Sequence, residues 1–124
     1  DDRDVADRWW ADRTAHAYPY ASLHATGVTL LFGSDAPVAP LDPWDGIASA
    51  VTRTDDERPP WHPEQALPLA VAVAASCGGR AALTEGDVAD LTVVTGDLTV
   101  SPDLRATEVL LTTVAGRVTH RISS

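Results

Sequence analysis

Residues 28–35, with the sequence VTLLFGSD, decide the fold that the sequence predicts. The first five are β-branched or large and apolar, with hardly any polar alternation, and such a run is typical of a strand buried on both faces. Strands of this kind occur in parallel sheets that are covered by helices. Gly33, Ser34 and Asp35 follow at once, so we expect them at the carboxyl end of the strand, where α/β barrels build their active sites.

Helical segments are predicted on both sides of this strand. The first carries acids in its opening turn and places Val5 and Trp9 on one stripe, which can also include Ala6 and Trp10; this indicates a short amphipathic helix. The last begins at Pro68 and ends before the Gly78–Gly79 pair. It is apolar nearly all round, so we expect it to be buried. The predicted helical ranges are 1–17, 21–26, 46–54 and 68–77.

The pattern changes to β structure after residue 83. Residues 89–95 alternate as in a strand, and residues 107–114 and 117–122 are predicted to form two strands joined across Ala115–Gly116. This part has no predicted helix of its own. We therefore expect an α/β part followed by a small β part, with domains at residues 1–83 and 84–124.

Composition limits the classes of function. The 124 residues carry 18 acidic and 9 basic side chains, and the net charge of -9 argues against binding to nucleic acid or to an anionic membrane. The longest apolar run, residues 69–75, is too short to cross a bilayer, which takes roughly 20 residues. Cys77 is the single cysteine, so no internal disulfide can form, and a reducing, cytoplasmic location is predicted. No methionine is present, and we expect the chain to be a piece of a longer protein.

Asp35 is the strongest candidate for chemistry. A carboxylate at the mouth of a buried strand can bind a metal or accept a proton, but an aspartate there can also be a helix cap or a turn residue. Arg53 either orients an anionic group through its planar fork or forms a salt bridge with an acid among residues 55–57. Trp44 either lines a pocket or plugs the barrel mouth.

The histidines and the cysteine indicate no further site. No two histidines are separated by two or four residues, so this chain alone lacks the ligands of a zinc site. His62 lies either near a substrate or, as we expect, in a solvated or capping position, and His120 is expected at the surface. Cys77 is expected to be a small core residue rather than a nucleophile.

Several motifs occur in an order that is typical of one enzyme family. Together they resemble the C-terminal end of a metal-dependent amidohydrolase of amidohydrolase family 3, in the branch of the N-substituted formamide deformylases. The resemblance covers residues 18–124, which is nearly the whole chain. The motifs are GSDAPV at 33–38, DPW at 42–44, AVTR at 50–53, PEQAL at 63–67, GDVADL at 86–91, and the closing stretch 109–118 with Gly116–Arg117.

The resemblance implies a fold and a role for each part. Residues 28–32 would be the last strand of an eight-stranded, TIM-like β/α barrel, and residues 85–122 the C-terminal share of the small β-sandwich that flanks it. Asp35 would match the aspartate that binds the divalent metal, expected to be zinc, or that accepts a proton from the hydrolytic water and passes it to the leaving nitrogen. The superfamily's HxH pair and lysine have no counterpart in this sequence.

The function implied is that of the C-terminal part of a hydrolase, which cleaves non-peptide carbon–nitrogen bonds in a small amide substrate. Asp35 is the predicted catalytic residue and metal ligand, and Arg53 and Trp44 are the candidate substrate-binding residues. We expect the 124-residue chain alone to be inactive and to bind no stoichiometric zinc. The alternative is a non-catalytic binding or assembly module that packs against another chain or, through exposed edges, against a second copy. A weaker third hypothesis is an unrelated α/β domain that binds a small ligand.

Overall fold

The computed structural model describes residues 3–80, 82–100 and 103–123. The chain divides into two compact units, residues 1–81 and 82–124, two residues before the boundary that the sequence predicts. Within the described residues, no helix is both long enough and apolar enough to span a membrane. The helices are α1 (Arg3–Trp9), α2 (Tyr20–Ala25), α3 (Pro43–Thr52) and α4 (Leu69–Ser76), the short 3₁₀ turns are Thr14–His16, Pro63–Gln65 and Leu104–Ala106, and the strands are β1 (Leu91–Val94), β2 (Val109–Val114) and β3 (Arg117–Arg121).

The first unit is centred on the packing of α3 against α4. α3 follows Asp42, whose carboxylate accepts hydrogen bonds from the backbone N–H groups of Trp44 and Asp45. Pro43 occupies the first helical position. Its missing N–H costs nothing there, because an N–H at this position has no partner within the helix. The buried apolar side chains of this unit are small or branched: Ala6, Ile47, Ala48, Ala50, Leu67, Ala72 and Ala75.

α4 forms where the sequence predicts a helix, but its burial differs from the prediction. Gly78 and Gly79 follow its end with φ of 66° and 82°, a left-handed backbone that glycine adopts without strain. Along the helix only Ala72 and Ala75 are buried, so one stripe packs rather than the whole surface. Cys77 is exposed. The prediction of a core cysteine is wrong because Cys77 lies beyond the last helical residue, next to two exposed glycines.

Residues 28–32 are not a strand in this structure. A backbone hydrogen bond from Phe32 N to Ala75 O, at 3.0 Å, ties the segment to the end of α4. The prediction of burial on both faces is wrong here, since the side chain of Leu31 is 67% exposed. A strand exists only in a hydrogen-bonded ladder with a neighbour, and the described residues of the first unit contain no strand to pair with it. The barrel therefore stays a prediction.

α1 is held by polar contacts rather than by an apolar face. Ala6 is buried, whereas Val5 and Trp9 are 58% and 66% exposed, so the predicted packing of that stripe is wrong. Residues 1–2 of the predicted helix lie outside the described residues. The hydrogen bonds that join α1 to residues 58–61 run from Arg58 to the Asp4 carboxylate, from Arg3 to the Pro59 carbonyl, and from the indole N–H of Trp61 to the Asp7 carboxylate.

The second unit contains an antiparallel sheet in the order β1-β2-β3. β2 and β3 form the predicted hairpin, with Leu111 opposite Arg121. The turn residues Ala115 and Gly116 have φ of 49° and 77°. Positive φ at both positions is the type I′ pattern, whose twist suits a two-residue hairpin. The hairpin prediction is confirmed.

Thr113 and Leu104 are buried in the second unit, with 9% and 5% of their surface exposed. The Thr113 hydroxyl donates to the carbonyl of Ala89 at 2.7 Å and accepts from the backbone N–H of Leu91 at 3.2 Å. Its donor and one of its acceptor sites are therefore used, as a buried hydroxyl requires. The Ala89 carbonyl also accepts from the N–H of Gly116 at 3.0 Å, so one side chain and one turn together fix the start of β1.

Candidate functional site

Asp35 lies at the start of a turn that follows residues 28–34, which have no regular secondary structure. Its carbonyl accepts a hydrogen bond from Val38 N at 2.9 Å, and the Ser34 hydroxyl accepts one from Ala36 N at 3.3 Å. The predicted helix-cap alternative is wrong, because no helix starts at this position, and Asp35 lies in a turn. The Asp35 side chain is exposed, and no hydrogen bond among the described residues engages its carboxylate.

The backbone of Asp35 adopts φ of 53°. A left-handed conformation costs energy for any residue with a side chain, and such residues concentrate at functional sites. The carboxylate is therefore free to act, and it is presented on a constrained backbone. These two observations agree with a chemical role for Asp35 without assigning one.

The described residues do not by themselves form a metal centre. They contain no group of three or more histidine, cysteine, aspartate or glutamate side chains placed to hold one ion. Asp35 offers carboxylate oxygens from a single residue, whereas protein zinc sites use about four ligands, at least three of them from the protein. The donor set of the described residues does not fit a complete metal site.

Arg53 ends α3 in a left-handed conformation with φ of 58°. Its backbone N–H donates to Ser49 O at 2.9 Å, and its carbonyl accepts from Trp61 N at 2.8 Å. Its side chain returns to the same partner, since Nε donates to Trp61 O at 3.1 Å. The guanidinium also lies 5.7 Å from the centre of the Tyr20 ring. Arg53 thus joins the end of α3 to Trp61 by two hydrogen bonds.

The guanidinium of Arg53 is buried, with only 8% of the residue exposed. Burial lowers the pKa of Arg53 from its usual value, because the charged form loses hydration, while nearby Tyr20 and Glu64 oppose this shift. No ion pair among the described residues joins Arg53 to residues 55–57, so that predicted salt bridge is wrong. The acid at position 56 pairs with Arg58 instead.

Trp61 is the centre of an aromatic cluster, and the sequence pattern does not single it out. Its ring lies 5.9 Å from the ring of Tyr18 and 4.6 Å from the ring of His62, measured between centroids. Tyr18 in turn lies 6.1 Å from Tyr20. We call Tyr18, Tyr20, Arg53, Trp61 and His62 the Trp61 cluster. The sequence gives one weak indication of this cluster: α3 ends at an arginine, where a glycine is usual.

His62 adopts φ of 50° and precedes the 3₁₀ turn at residues 63–65, but its side chain does not cap that turn. Nδ1 lies 3.2 Å from a carboxylate oxygen of Glu64. Nε2 is buried and has no hydrogen-bond partner among the described residues. The prediction of a solvated or capping histidine is therefore wrong, because the side chain is only 21% exposed, meets Trp61 edge-on and makes no cap hydrogen bond.

The remaining predicted residues lie apart from these contacts. Trp44 is half-buried, and its buried indole N–H has no partner in the described part of the chain. No hydrogen bond or ion pair in that part joins Asp35, Trp44 and Arg53 to one another. His120 is exposed on β3, as predicted. A shallow hollow of about 260 Å³ lies elsewhere and contains none of the predicted site residues; it is lined by Trp10, Arg13, His16 and Ala17.

Comparison with known proteins identifies the family. A model of the amidohydrolase family matches residues 2–120, which include Asp35, Trp44 and Arg53. The chain belongs to the amidohydrolase family. This membership confirms the resemblance at the family level, while the formamide deformylase branch stays a prediction.

This amidohydrolase chain is also similar to a Bacillus subtilis protein named "Putative amidohydrolase YtcJ". The two are 31% identical over 134 aligned positions, which cover 96% of this chain and 25% of the relative. The chain thus spans about a quarter of the length of that relative. No solved structure matches the chain significantly.

Proposed function

We propose that this chain forms part of a hydrolase that cleaves a non-peptide carbon–nitrogen bond in a small amide, with Asp35 as the residue that carries the proton. The observation that supports the proposal most directly is the Asp35 turn. Within a segment that matches the amidohydrolase family, it presents an exposed carboxylate that is not bonded to any described residue. A carboxylate without internal partners is free to exchange protons with water and substrate.

The chemistry assigned to Asp35 is two proton transfers. As water attacks the amide carbon, a carboxylate oxygen of Asp35 accepts the proton that the water loses. When the carbon–nitrogen bond breaks, the same group donates that proton to the leaving nitrogen, so that the carboxylate is restored. A divalent metal, with zinc as the expected ion, would need ligands beyond the described residues.

Arg53 and Trp44 are proposed to contact the substrate. Each has a buried N–H group without a partner among the described residues, Nη2 of Arg53 and Nε1 of Trp44. A buried donor that lacks a partner is costly, and a ligand that accepts its hydrogen bond removes that cost. We also propose the N-substituted formamide deformylase branch as the nearest activity, on the motifs at residues 33–38 and 50–53.

Substitution of Asp35 tests this function in the complete polypeptide that contains the chain. We expect Asp35→Asn to lower kcat for hydrolysis of N-substituted formamides by about 10²–10⁴-fold, because the amide side chain cannot accept the proton. Asp42→Asn is the matched control, since it removes the same charge nearby and asparagine caps α3 about as well as aspartate. The proposal fails if Asp35→Asn retains the rate of Asp42→Asn, and the 124-residue chain alone should give no product.

A second function is favoured by exposed apolar side chains in residues 28–41. Large apolar residues that would normally be buried are exposed there, and such a surface commonly packs against another polypeptide. This supports an assembly module, whose partner would be another chain or a second copy. Light scattering tests it, because a monodisperse monomer at high concentration would contradict self-assembly. The residues are Val28, Leu31, Val38 and Leu41, exposed by 50%, 67%, 82% and 84%.

A further inference from the structure

Residues with strained backbone conformations surround Trp61. Three residues other than glycine adopt left-handed conformations and contact it: Tyr18 with φ of 51°, Arg53 with φ of 58° and His62 with φ of 50°. Strain of this kind persists only where the surroundings enforce it, and it is found preferentially at ligand sites. The Trp61 cluster is therefore the most constrained part of the first unit, and Asp35 is not a member of it.

Two buried polar atoms of the same cluster have no hydrogen-bond partner among the described residues. One is Nη2 of Arg53, which is a cationic donor. The other is Nε2 of His62. Nδ1 of His62 lies 3.2 Å from a carboxylate oxygen of Glu64, and in the neutral tautomer that donates from Nδ1 to this oxygen, Nε2 is an acceptor. The cluster thus offers one charged donor and, in that tautomer, one acceptor that no described residue engages.

We infer that the Trp61 cluster is a recognition site for a carboxylate that has an N–H or O–H donor beside it. The Arg53 guanidinium would bind the carboxylate, since its planar fork matches that geometry, and His62 would accept from the neighbouring donor. Trp61 O fixes Nε of Arg53, while Tyr20 and His62 are only half-buried, so the cluster reaches the surface. The inference rests on the proposed function in one respect: it names amides that bear a carboxylate as the substrate class.

The chemistry favours a monoanion over a phosphate group. The cluster contains one guanidinium, and the acid Glu64 lies close enough to oppose part of the lowering of the Arg53 pKa that burial causes. A dianion would meet this nearby negative charge with a single cation to balance it. The chain as a whole carries a charge of -9, so non-specific attraction of anions is weak, and binding of an anion requires a specific site.

Ligand-observed NMR tests the inference without any need for turnover. Acetate and acetamide are placed in one sample with the complete polypeptide at constant ionic strength, and saturation transfer to each methyl group is measured. We expect saturable transfer to acetate and none above background to the neutral acetamide. Glycolate, which adds a hydroxyl donor, should bind about fivefold more tightly than acetate, as one neutral hydrogen bond predicts.

Variants locate the binding. Arg53→Gln should weaken acetate binding about tenfold or more, and Arg53→Lys, which keeps the charge but loses the fork, should weaken it less. His62→Phe should remove the preference for glycolate while acetate still binds. Arg121→Gln, on exposed β3, removes the same charge and should leave binding unchanged. Circular dichroism checks the folding of each variant. If Arg53→Gln does not fold, Arg53→Lys and His62→Phe still test the inference.

The possible results separate this inference from the proposed function. Equal transfer to acetate and acetamide, or acetate binding retained in both Arg53 variants, overturns the carboxylate site even if the enzyme hydrolyses neutral amides. Acetate binding that depends on Arg53, in a polypeptide that hydrolyses no amide, supports the site and contradicts the proposed function.

Discussion

The two units are stabilised in different ways. In the second unit, backbone ladders and a tight turn fix the strands, so the hydrogen bonds are spread along β1, β2 and β3. In the first unit, the bonds that fix the loops converge on Arg53 and Trp61. A spread network loses little when one residue changes, whereas a convergent one depends on a single side chain. The comparison predicts that the most damaging substitutions lie in the first unit.

Separate probes can follow the two units. Trp9, Trp10, Trp44 and Trp61 are the tryptophans of the sequence, and all precede residue 81, so indole fluorescence in the chain reports the first unit. Amide hydrogen exchange in β2 and β3 reports the second. The effect of a substitution on stability can thus be assigned to one unit.

Arg53→Ala should have the largest effect on stability. It removes a charge-assisted hydrogen bond and leaves the Trp61 carbonyl without that donor, so we expect the free energy of unfolding of the first unit to fall by about 3 kcal/mol. Arg53→Gly separates the contribution of the side chain to stability from that of the backbone conformation. Glycine adopts a positive φ freely, so this variant should be about 1 kcal/mol more stable than Arg53→Ala. Urea unfolding followed by indole fluorescence measures both; equal stabilities would mean that φ of 58° carries no strain.

Thr113→Val should have a smaller effect, on the second unit. Valine matches the shape of threonine but cannot donate to Ala89 O or accept from Leu91 N, so we expect a loss of about 1.5 kcal/mol. The Leu91 amide should exchange its hydrogen faster as a result. Thr92→Val, at an exposed position on β1, is the matched control and should change little. Similar exchange in the two variants would contradict the role of the Thr113 hydroxyl.

Gly116→Ala tests the hairpin turn. A Cβ at this position would lie 3.9 Å from the Ala89 Cβ, an ordinary contact, so the cost is conformational and should be about 1 kcal/mol. The reverse change is available at the preceding residue, because asparagine suits the first position of a type I′ turn better than alanine. Ala115→Asn should therefore slow exchange in β2 and β3. If both substitutions act in the same direction, the turn is not type I′.

The acid sensitivity of the loop at residues 54–58 should give the smallest effect. Two hydrogen bonds from Arg58 hold the pKa of Asp56 below its ordinary value of 3.8: the larger effect comes from the backbone N–H and the smaller from the side chain. The stabilisation is then present above that value and is lost as the pH falls through the lower pKa of the folded chain. The melting temperature of Asp56→Asn should approach that of the unmodified chain as the pH falls from 6 to 2. Glu57→Gln is the control, and both effects are small because the loop is exposed.

Local features of the fold were predictable from the sequence. The hairpin across residues 115–116 and the end of α4 at Gly78–Gly79 each depend on a few adjacent residues, so the pattern determines them. Residues 28–32 differ, because a strand depends on partners elsewhere and an apolar run cannot report whether they are present. Cys77 was assigned to the core because helix ends are uncertain by one or two residues, and there one residue decides between burial and exposure.

The candidate site was predictable only in part. Asp35 was singled out by its place after the apolar run, and its role in catalysis stays a prediction. The Trp61 cluster could not be found in this way, because Tyr20 and Arg53 are 33 positions apart and meet only in the folded chain. A salt bridge with a neighbouring acid was one of the two alternatives predicted for Arg53; its side chain instead donates to a carbonyl eight residues away.

The exposed thiol of Cys77 gives the chain a single point of chemical attachment. A maleimide dye placed there needs no engineered cysteine and no removal of a native one, because the sequence contains no second thiol. The indoles of the first unit precede this position and can act as energy-transfer donors to the dye. One labelled sample of unmodified sequence would therefore measure how distances in this unit change when acetate is added or urea is raised.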